Sequence, residues 1–413
     1  MSASGRVPPG LRSALPLVIA GFVISFILVG GGIDTVSVFL NALAGATGWS
    51  RSSLSLAVSI GAVSAALSTP LVGVGIDRFG VRMPMSVGLI LLAVGFVILI
   101  GMQAAWQFAA ANVFLGAGFA ACALLPVTVA VTVQVPHRTA LALGIVAAGS
   151  SAGALVLAPT YQALVENIGW RATYAVAGAA VVLIPVPFLF FALPRGRLTA
   201  HRQSSHTQSV GLSLRQGLRK PGVLPLAGMM TLPGLAGFGL SVHLVPYLVG
   251  LGLAGTTAAA ALGATIGISA IGKIAGGFIA DRYRALPTIR LALVVWAAAL
   301  LLLSYAAALP LLVAFVLLYG LALGTQIAVI PAIALNVLGS TRFGALFGTL
   351  QLAAMLASAV GPIASGLIFD ATGQYGGALL LWMAAMSAAA AIAFWMPATL
   401  ARATVGSEHG ATV

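Results

Sequence analysis

The sequence predicts an all-α membrane protein of twelve transmembrane helices in two six-helix, pseudo-symmetric halves, and three observations predict it. The 413 residues are 61% hydrophobic and 6% charged, with a mean hydropathy of +1.12. An average soluble domain is about 25% charged, so a water-soluble protein of this length would lack the polar residues to cover its surface. The apolar stretches run without interruption for about 20 residues or more, the length that crosses about 30 Å of hydrocarbon. They do not alternate with polar residues over about ten positions, as the strands of a membrane barrel do. Finally, the chain repeats itself at an offset of 204 residues.

Cutting the chain at charges, prolines and polar turns places the spans in order. The first half holds 15–40, 54–76, 83–102, 106–131, 140–164 and 171–194, and the second holds 222–250, 255–280, 287–306, 310–337, 344–369 and 376–400. The divisions that follow are an N-terminal tail, 1–14, a first bundle, 15–194, a linker, 195–221, a second bundle, 222–400, and a tail, 401–413. The linker carries Arg195, Arg197, His201, Arg202, His206, Arg215, Arg219 and Lys220 among Ser and Gln, a composition suited to a partly disordered segment on an anionic lipid surface.

Loops that retain Lys and Arg face the cytoplasm. With both termini inside, that side holds Arg6, Arg12, Arg78, Arg82, Arg138, Arg195, Arg197, Arg202, Arg215, Arg219, Lys220, Arg282, Arg284, Arg290, Arg342 and Arg402, which is 16 of the 19 basic residues. Arg51 and Arg171 fall outside and Lys273 lies within a span. One missed span would invert the second half and destroy this asymmetry, so the count and the orientation support each other. The expected location is the cell (inner) membrane, and Met1 to Gly10 is too polar for a cleavable leader.

The net charge of +13 is scattered between apolar runs rather than gathered on one face, which argues against a nucleic-acid partner. Cys122 is the single cysteine, so no disulfide framework or cysteine metal site is expected. No P-loop, His/Cys cluster or HExxH helix occurs, which argues against an enzyme, an ATP-driven pump or a bound cofactor. Gly250-Leu-Gly252-Leu-Ala-Gly255 matches a dinucleotide-binding string but joins two spans and follows no strand.

In the repeat, Gly73, Asp77 and Arg78 meet Gly277, Asp281 and Arg282, and Gly116 meets Gly320. Further along, Arg138 meets Arg342, Gly144 meets Gly348, and Glu166 and Gly169 meet Asp370 and Gly373. Apolar composition alone matches Gly often, but it does not match scarce charges. Two parallel halves related by an axis along the membrane normal are a transporter plan, with the substrate bound between them.

Gly73-Val-Gly-Ile-Asp77-Arg78-Phe-Gly80-Val-Arg82 resembles the loop signature of the major facilitator superfamily, and Gly277-Phe-Ile-Ala-Asp281-Arg282 resembles its weaker second copy. The resemblance implies alternating access by rocking of the two halves, with Asp77, Arg78, Arg82, Asp281 and Arg282 as conformational residues. Gly48-Trp49-Ser50-Arg51-Ser52, the stretch Asp34-Thr-Val-Ser-Val-Phe39 and Lys273 resemble the monocarboxylate porter branch and its oxalate/formate exchanger relatives. In that branch a span-8 cation binds substrate, and Lys273 falls at its place. The sequence departs from the animal porters, which carry a lysine at the matching first-span position, and it has Ser269 where they carry an aspartate.

A charge inside a span costs about 3 kcal/mol or more and faces a cavity or partner. Lys273 lies eight residues before Asp281, about 12 Å inside the span, and its repeat counterpart is Thr69, so no symmetrical structural role requires a cation there. It is the expected binding group for a carboxylate. Asp34, beside Gly30-Gly31-Gly32, is the expected proton-coupling carboxylate, since a low dielectric raises the pKa of an acid. Ser150, Ser151, Ser269 and Gln326 are expected to orient the substrate, although helix packing is an equal use for each. His243 is expected at an outer gate. The function expected is proton-driven transport of a small organic anion such as a monocarboxylate, in the lipid bilayer, by a monomer with no cofactor beyond the proton gradient. Anion exchange and proton-coupled drug efflux are the alternatives.

Overall fold

The computed structural model describes residues 11–134, 139–191, 220, 222–338 and 343–397. The N-terminal tail to residue 10, linker residues 192–219, Arg138, Arg342 and the tail beyond 400 lie outside the described residues. Among those described there is no strand.

Among the described residues, eleven apolar helical stretches are long enough to cross a membrane. One of them, Ala142–Leu189, is 48 residues long, about twice what a crossing needs. It is broken at Gly169, whose φ of 79° and ψ of 164° leave the helical region. The stretch is therefore two spans, and the total is the twelve expected. The helices are α1 (Leu11–Ile24), α2 (Val36–Thr47), α3 (Arg51–Phe79), α4 (Arg82–Gly101), α5 (Ala105–Cys122), α6 (Leu124–Gln134), α7 (Thr139–Leu183) and α8 (Pro185–Phe191). The second half continues with α9 (Val223–Gly250), α10 (Gly255–Tyr283), α11 (Ala285–Leu303), α12 (Leu309–Leu338), α13 (Phe343–Ser358), α14 (Val360–Thr372) and α15 (Gly376–Trp395). The glycine string at 250–255 is the turn between α9 and α10, with Gly252 at φ 89°, and no strand precedes it.

The repeat is written in the backbone. Gly48 and Gly252, Gly80 and Arg284, and Gly169 and Gly373 are each separated by 204 residues, and all six have positive φ, between 70° and 89°. Among the described residues only Gly222 shares that conformation without such a mate. Turns of the same shape thus recur at the same places in both halves.

Large apolar side chains stay exposed along the helices, Leu71, Ile274, Phe278 and Trp395 by 71–77%. Soluble proteins seldom leave so much apolar surface open, and here it is the surface that lipid covers. Basic side chains close several helix C-termini, where carbonyls lack partners and the helix dipole is negative. Arg171 donates to the Met102 carbonyl at the end of α4 (3.0 Å), and Lys220 Nζ to Leu338 at the end of α12 (2.7 Å). Arg290 donates to Ala393 and Met396 (2.9 Å each) at the end of α15.

The chain divides into two compact units. One comprises Met1–Ser204 with Leu240–Gly267 and Pro362–Tyr375, and the other Ser205–Gly239, Ile268–Gly361 and Gly376–Val413. Inside each, small residues let helix backbones touch, since in lipid close packing replaces the hydrophobic effect as the source of association. In the first, Gly149 and Gly153 of α7 lie against the carbonyls of Phe22 and Phe26, and Gly88 of α4 against Cys122 and Gly118 of α5. In the second, Gly272 and Gly276 of α10 cross α12 at Leu321, Gly324 and Thr325.

Candidate functional site

The first span, expected as one helix ending near residue 40, is longer and discontinuous. It reaches Thr47, and between α1 and α2 the chain forms a π-helix, Ser25–Ile33, followed by a turn at Asp34–Thr35. The cause is local. Gly30, Gly31 and Gly32 give up helix propensity, and each fills a gap no side chain could enter. A Cβ on Gly30 would lie 2.5 Å from the Ser150 carbonyl, and one on Gly31 2.6 Å from the Leu157 side chain. The Asp34 amide donates to the Val29 carbonyl (2.9 Å), five residues back, and Thr35 Oγ1 donates to Gly31 (2.6 Å). Asp34 is half-buried at this break, thirteen residues and about 20 Å from the Thr47 end of the span. π-Helical turns inside α-helices are frequent at functional sites.

Beside the π-segment, Ser151 of α7 is buried, and its hydroxyl, with those of Ser25 and Tyr161, has no hydrogen-bond partner among the described residues. Ser150 is half-buried and donates back to the Ala147 carbonyl (3.0 Å).

In the second unit Lys273 is half-buried on α10, ten residues and about 15 Å from the helix end at Tyr283. Ser269 lies one turn away on the same face and is buried, and Gln326 of α12 is half-buried. The backbone at Lys273 is tightly held, because a Cβ on Gly324 would sit 2.6 Å from the Lys273 amide nitrogen. Thr325 Oγ1 also bonds the Gly272 carbonyl across the same crossing (3.2 Å).

Of the loop-signature residues, Asp77 and Arg78 end α3, with Arg78 exposed, and Arg82 opens α4 half-buried. Asp281 and Arg282 are exposed at the end of α10, the Arg282 guanidinium 5.7 Å from the Tyr283 ring centre.

His243 of α9 is fully buried at the centre of a polar cluster. Its Nε2 lies 3.0 Å from the Pro362 carbonyl and 2.9 Å from Ser55 Oγ, and its Nδ1 lies 3.1 Å from the Tyr375 hydroxyl. A carbonyl only accepts, so Nε2 carries the proton and Nδ1 accepts from Tyr375. Burial pushes the Tyr375 phenol up to about 12, so it keeps the proton it donates. The Ser37 hydroxyl takes the Val245 amide nearby (3.0 Å).

The same cluster contains what sequence reasoning missed. Asp370, at the end of α14, accepts from the backbone amides of Arg51 (2.9 Å) and Ser52 (2.8 Å) at the start of α3. The Arg51 guanidinium reaches the Leu40 carbonyl (3.1 Å) and Asn41, and stands 5.5 Å from the Phe369 ring centre. Two signals pointed here: Arg51 is a charge the loop asymmetry leaves over, and Asp370 is the repeat mate of Glu166.

Residues 22–294 match the family described as Major Facilitator Superfamily. The chain belongs to the major facilitator superfamily. Monocarboxylate transporter 12 of Rattus norvegicus is 28% identical over 302 residues, 65% of this chain and 62% of that one, so the match spans less than two thirds of the rat protein. The Mus musculus protein of the same name is 26% identical over 348 residues, 76% of this chain and 71% of its own. A crystal structure of a bacterial homologue of the human lysosomal transporter Spinster, inward-facing and occupied, superposes with a TM-score of 0.71 at 17% identity. That match covers 97% of this chain and all of the other, and it shows the fold. The superfamily's relatives and fold are those of multi-pass membrane transporters rather than enzymes.

Proposed function

We propose that the protein is a secondary active transporter of a small monocarboxylate-like anion, driven by the proton gradient and working by alternating access. The observation that carries this reading is Lys273, a cation on an otherwise apolar membrane helix, mounted at a glycine-lined crossing beside Ser269 and Gln326. A carboxylate neutralises a cation in a low dielectric and takes charge-assisted hydrogen bonds from it, whereas a neutral or cationic substrate does not. The monocarboxylate transporter relatives support the same substrate class.

Asp34, at the helix break and well inside the span, is the proton carrier in this reading. The buried hydroxyl of Ser151, without a hydrogen-bond partner among the described residues, offers a hydrogen bond to a polar substrate group. The transporter sits in the cell inner membrane as a monomer, with both termini, the 195–221 linker and the Asp77 and Asp281 loops in the cytoplasm and Arg51 outside. It uses no cofactor other than the proton gradient.

Radiolabelled uptake into proteoliposomes across a panel of carboxylates, with and without an acid exterior, tests the proposal. Lys273→Gln is expected to abolish uptake of every anion, and full transport by that variant rejects the substrate site. Asp34→Asn is expected to lose acid-driven uptake and retain counterflow, and unchanged acid stimulation rejects the proton role. Uptake that needs internal anion and ignores pH identifies an exchanger.

A further inference from the structure

The carboxylates of Asp370 and Glu166, 204 residues apart, stand at the N-termini of two helices whose first residues, Arg51 and Gly255, are themselves 204 residues apart. Asp370 accepts both the Arg51 and Ser52 amides of α3. Glu166 of α7 takes a bond from Gln162 (2.9 Å), and a Cβ on Gly255 would lie 2.7 Å from its carboxylate, against the first turn of α10. A helix N-terminus presents unpaired amides and the positive end of the dipole, which favours a carboxylate in contact with it. Neither carboxylate belongs to the helix it meets. Each comes from a span in the other half of the sequence: α14 reaches α3, and α7 reaches α10.

The Asp370 contact lies beside the His243 cluster, whose Ser55 is on α3 and whose Pro362 is on α14. Gly366 of α14 lies so close to α3 that a Cβ there would be 2.8 Å from Ser52 Cα, and Gly263 of α10 would place one 2.6 Å from the Ala154 carbonyl of α7. Each of these helix pairs is in backbone contact; Asp370 is hydrogen-bonded across one pair, and Glu166 stands beside the first turn of the other.

We propose that Asp370 and Glu166 are a symmetry-related pair of latches that hold the Arg51 end of the bundle closed, and that each must leave its helix N-terminus when that end opens. The inference rests on the alternating-access reading, but it concerns residues outside the proposed substrate and proton sites. It also assigns a role to two acidic residues that neither topology nor transport chemistry explained. Asp370, with two amide bonds, is the stronger latch.

The test reads opening without any substrate. In a Cys122→Ala background, full-length protein carrying Val58→Cys, a buried α3 position one turn past Ser55, is reconstituted and treated with a membrane-impermeant maleimide. Gly45→Cys, exposed in the last turn of α2 with nothing within 4 Å, labels regardless of state and identifies the Arg51 side. Asp370→Asn is expected to raise the Val58→Cys labelling rate about tenfold, and Glu166→Gln by less. Asp370→Glu is expected to restore most of the protection.

Ser52→Pro approaches from the partner side. It deletes one of the two amide donors at a first-turn position where proline is tolerated. Its effect should match that of Asp370→Asn in direction and should not add to it in the double variant. Labelling unchanged in both Asp370→Asn and Ser52→Pro, with each variant melting as a folded protein, overturns the latch. A failed carboxylate uptake panel leaves this readout untouched, so the two proposals fail separately.

Discussion

Arg284 stands 204 residues after Gly80, and the two share a backbone conformation, with φ of 80° and 79°. Gly80 has ψ 177° and Arg284 has ψ 146°, a region of φ/ψ space that glycine occupies freely and other residues do not. The second half has kept the turn and lost the residue that suits it.

Arg284→Gly should therefore stabilise the protein. Strain of this kind costs about 1–3 kcal/mol, and the added freedom of glycine in the unfolded chain takes back up to about 1 kcal/mol. A net gain of about 1 kcal/mol is expected, read as a rise in melting temperature of the purified protein in detergent. Gly80→Arg should lower it by a similar or larger amount, and a destabilised Arg284→Gly variant would show that the Arg side chain is needed where it stands.

His243→Leu removes a ring that satisfies the Pro362 carbonyl, the Ser55 hydroxyl and the Tyr375 hydroxyl at once. Leaving a buried polar group unpaired costs about 1–3 kcal/mol. Thermal unfolding should show a loss of about 2–4 kcal/mol, more than for an apolar exchange of similar size. A loss below about 1 kcal/mol would mean that the cluster is hydrated.

Tyr375→Phe should change the alkaline limb of stability. The folded phenol titrates near 12 because burial disfavours its charged form, while the unfolded one titrates near 10. Between those values the folded state holds a proton that the unfolded state has released. Stability from this group is thus complete below about 10 and falls as pH rises towards 12. Tyr375→Phe should lose less stability than the wild type over that window, and melting curves with identical pH dependence would refute the assignment.

Gly324→Val should disable the proposed anion site without touching a polar side chain. Its Cβ would stand 2.6 Å from the Lys273 amide, so α10 and α12 must separate. Overpacking of this kind costs about 1–3 kcal/mol, and uptake should fall with it. Gly348→Val, at an exposed position with nothing within 4 Å, is the matched control and should leave both measurements unchanged.

The fold was largely legible because lipid imposes few choices. A run of about twenty apolar residues must be a helix, so span positions followed from hydropathy, and the 204-residue offset implied two like halves. Two kinds of feature were hidden. The π-helix and the extension of the first span to Thr47 depend on what Gly30–Gly32 meet on α7 and α5, and the sequence showed the glycines without their partners. The Asp370 contact with Arg51 and Ser52 joins positions 318 and 319 residues apart through backbone amides, which carry no residue identity. Lys273 and Asp34 were visible because a charge inside an apolar run stands out. Ser55 and Tyr375 were not, because their chemistry appears only once His243 is buried between them.

The crossing of α10 over α12 has a mechanical meaning. With Gly272, Gly276 and Gly324 leaving no cushion of side chains, the Lys273 main chain is a fixed mount, and the ammonium moves only within the arc of its own four methylenes. In the proposed cycle, an anion held there would not be carried along by a local shift of α10. It would pass from one side of the membrane to the other only when the surrounding helices are rearranged as a body, which would put the burden of translocation on the protein rather than on the lysine.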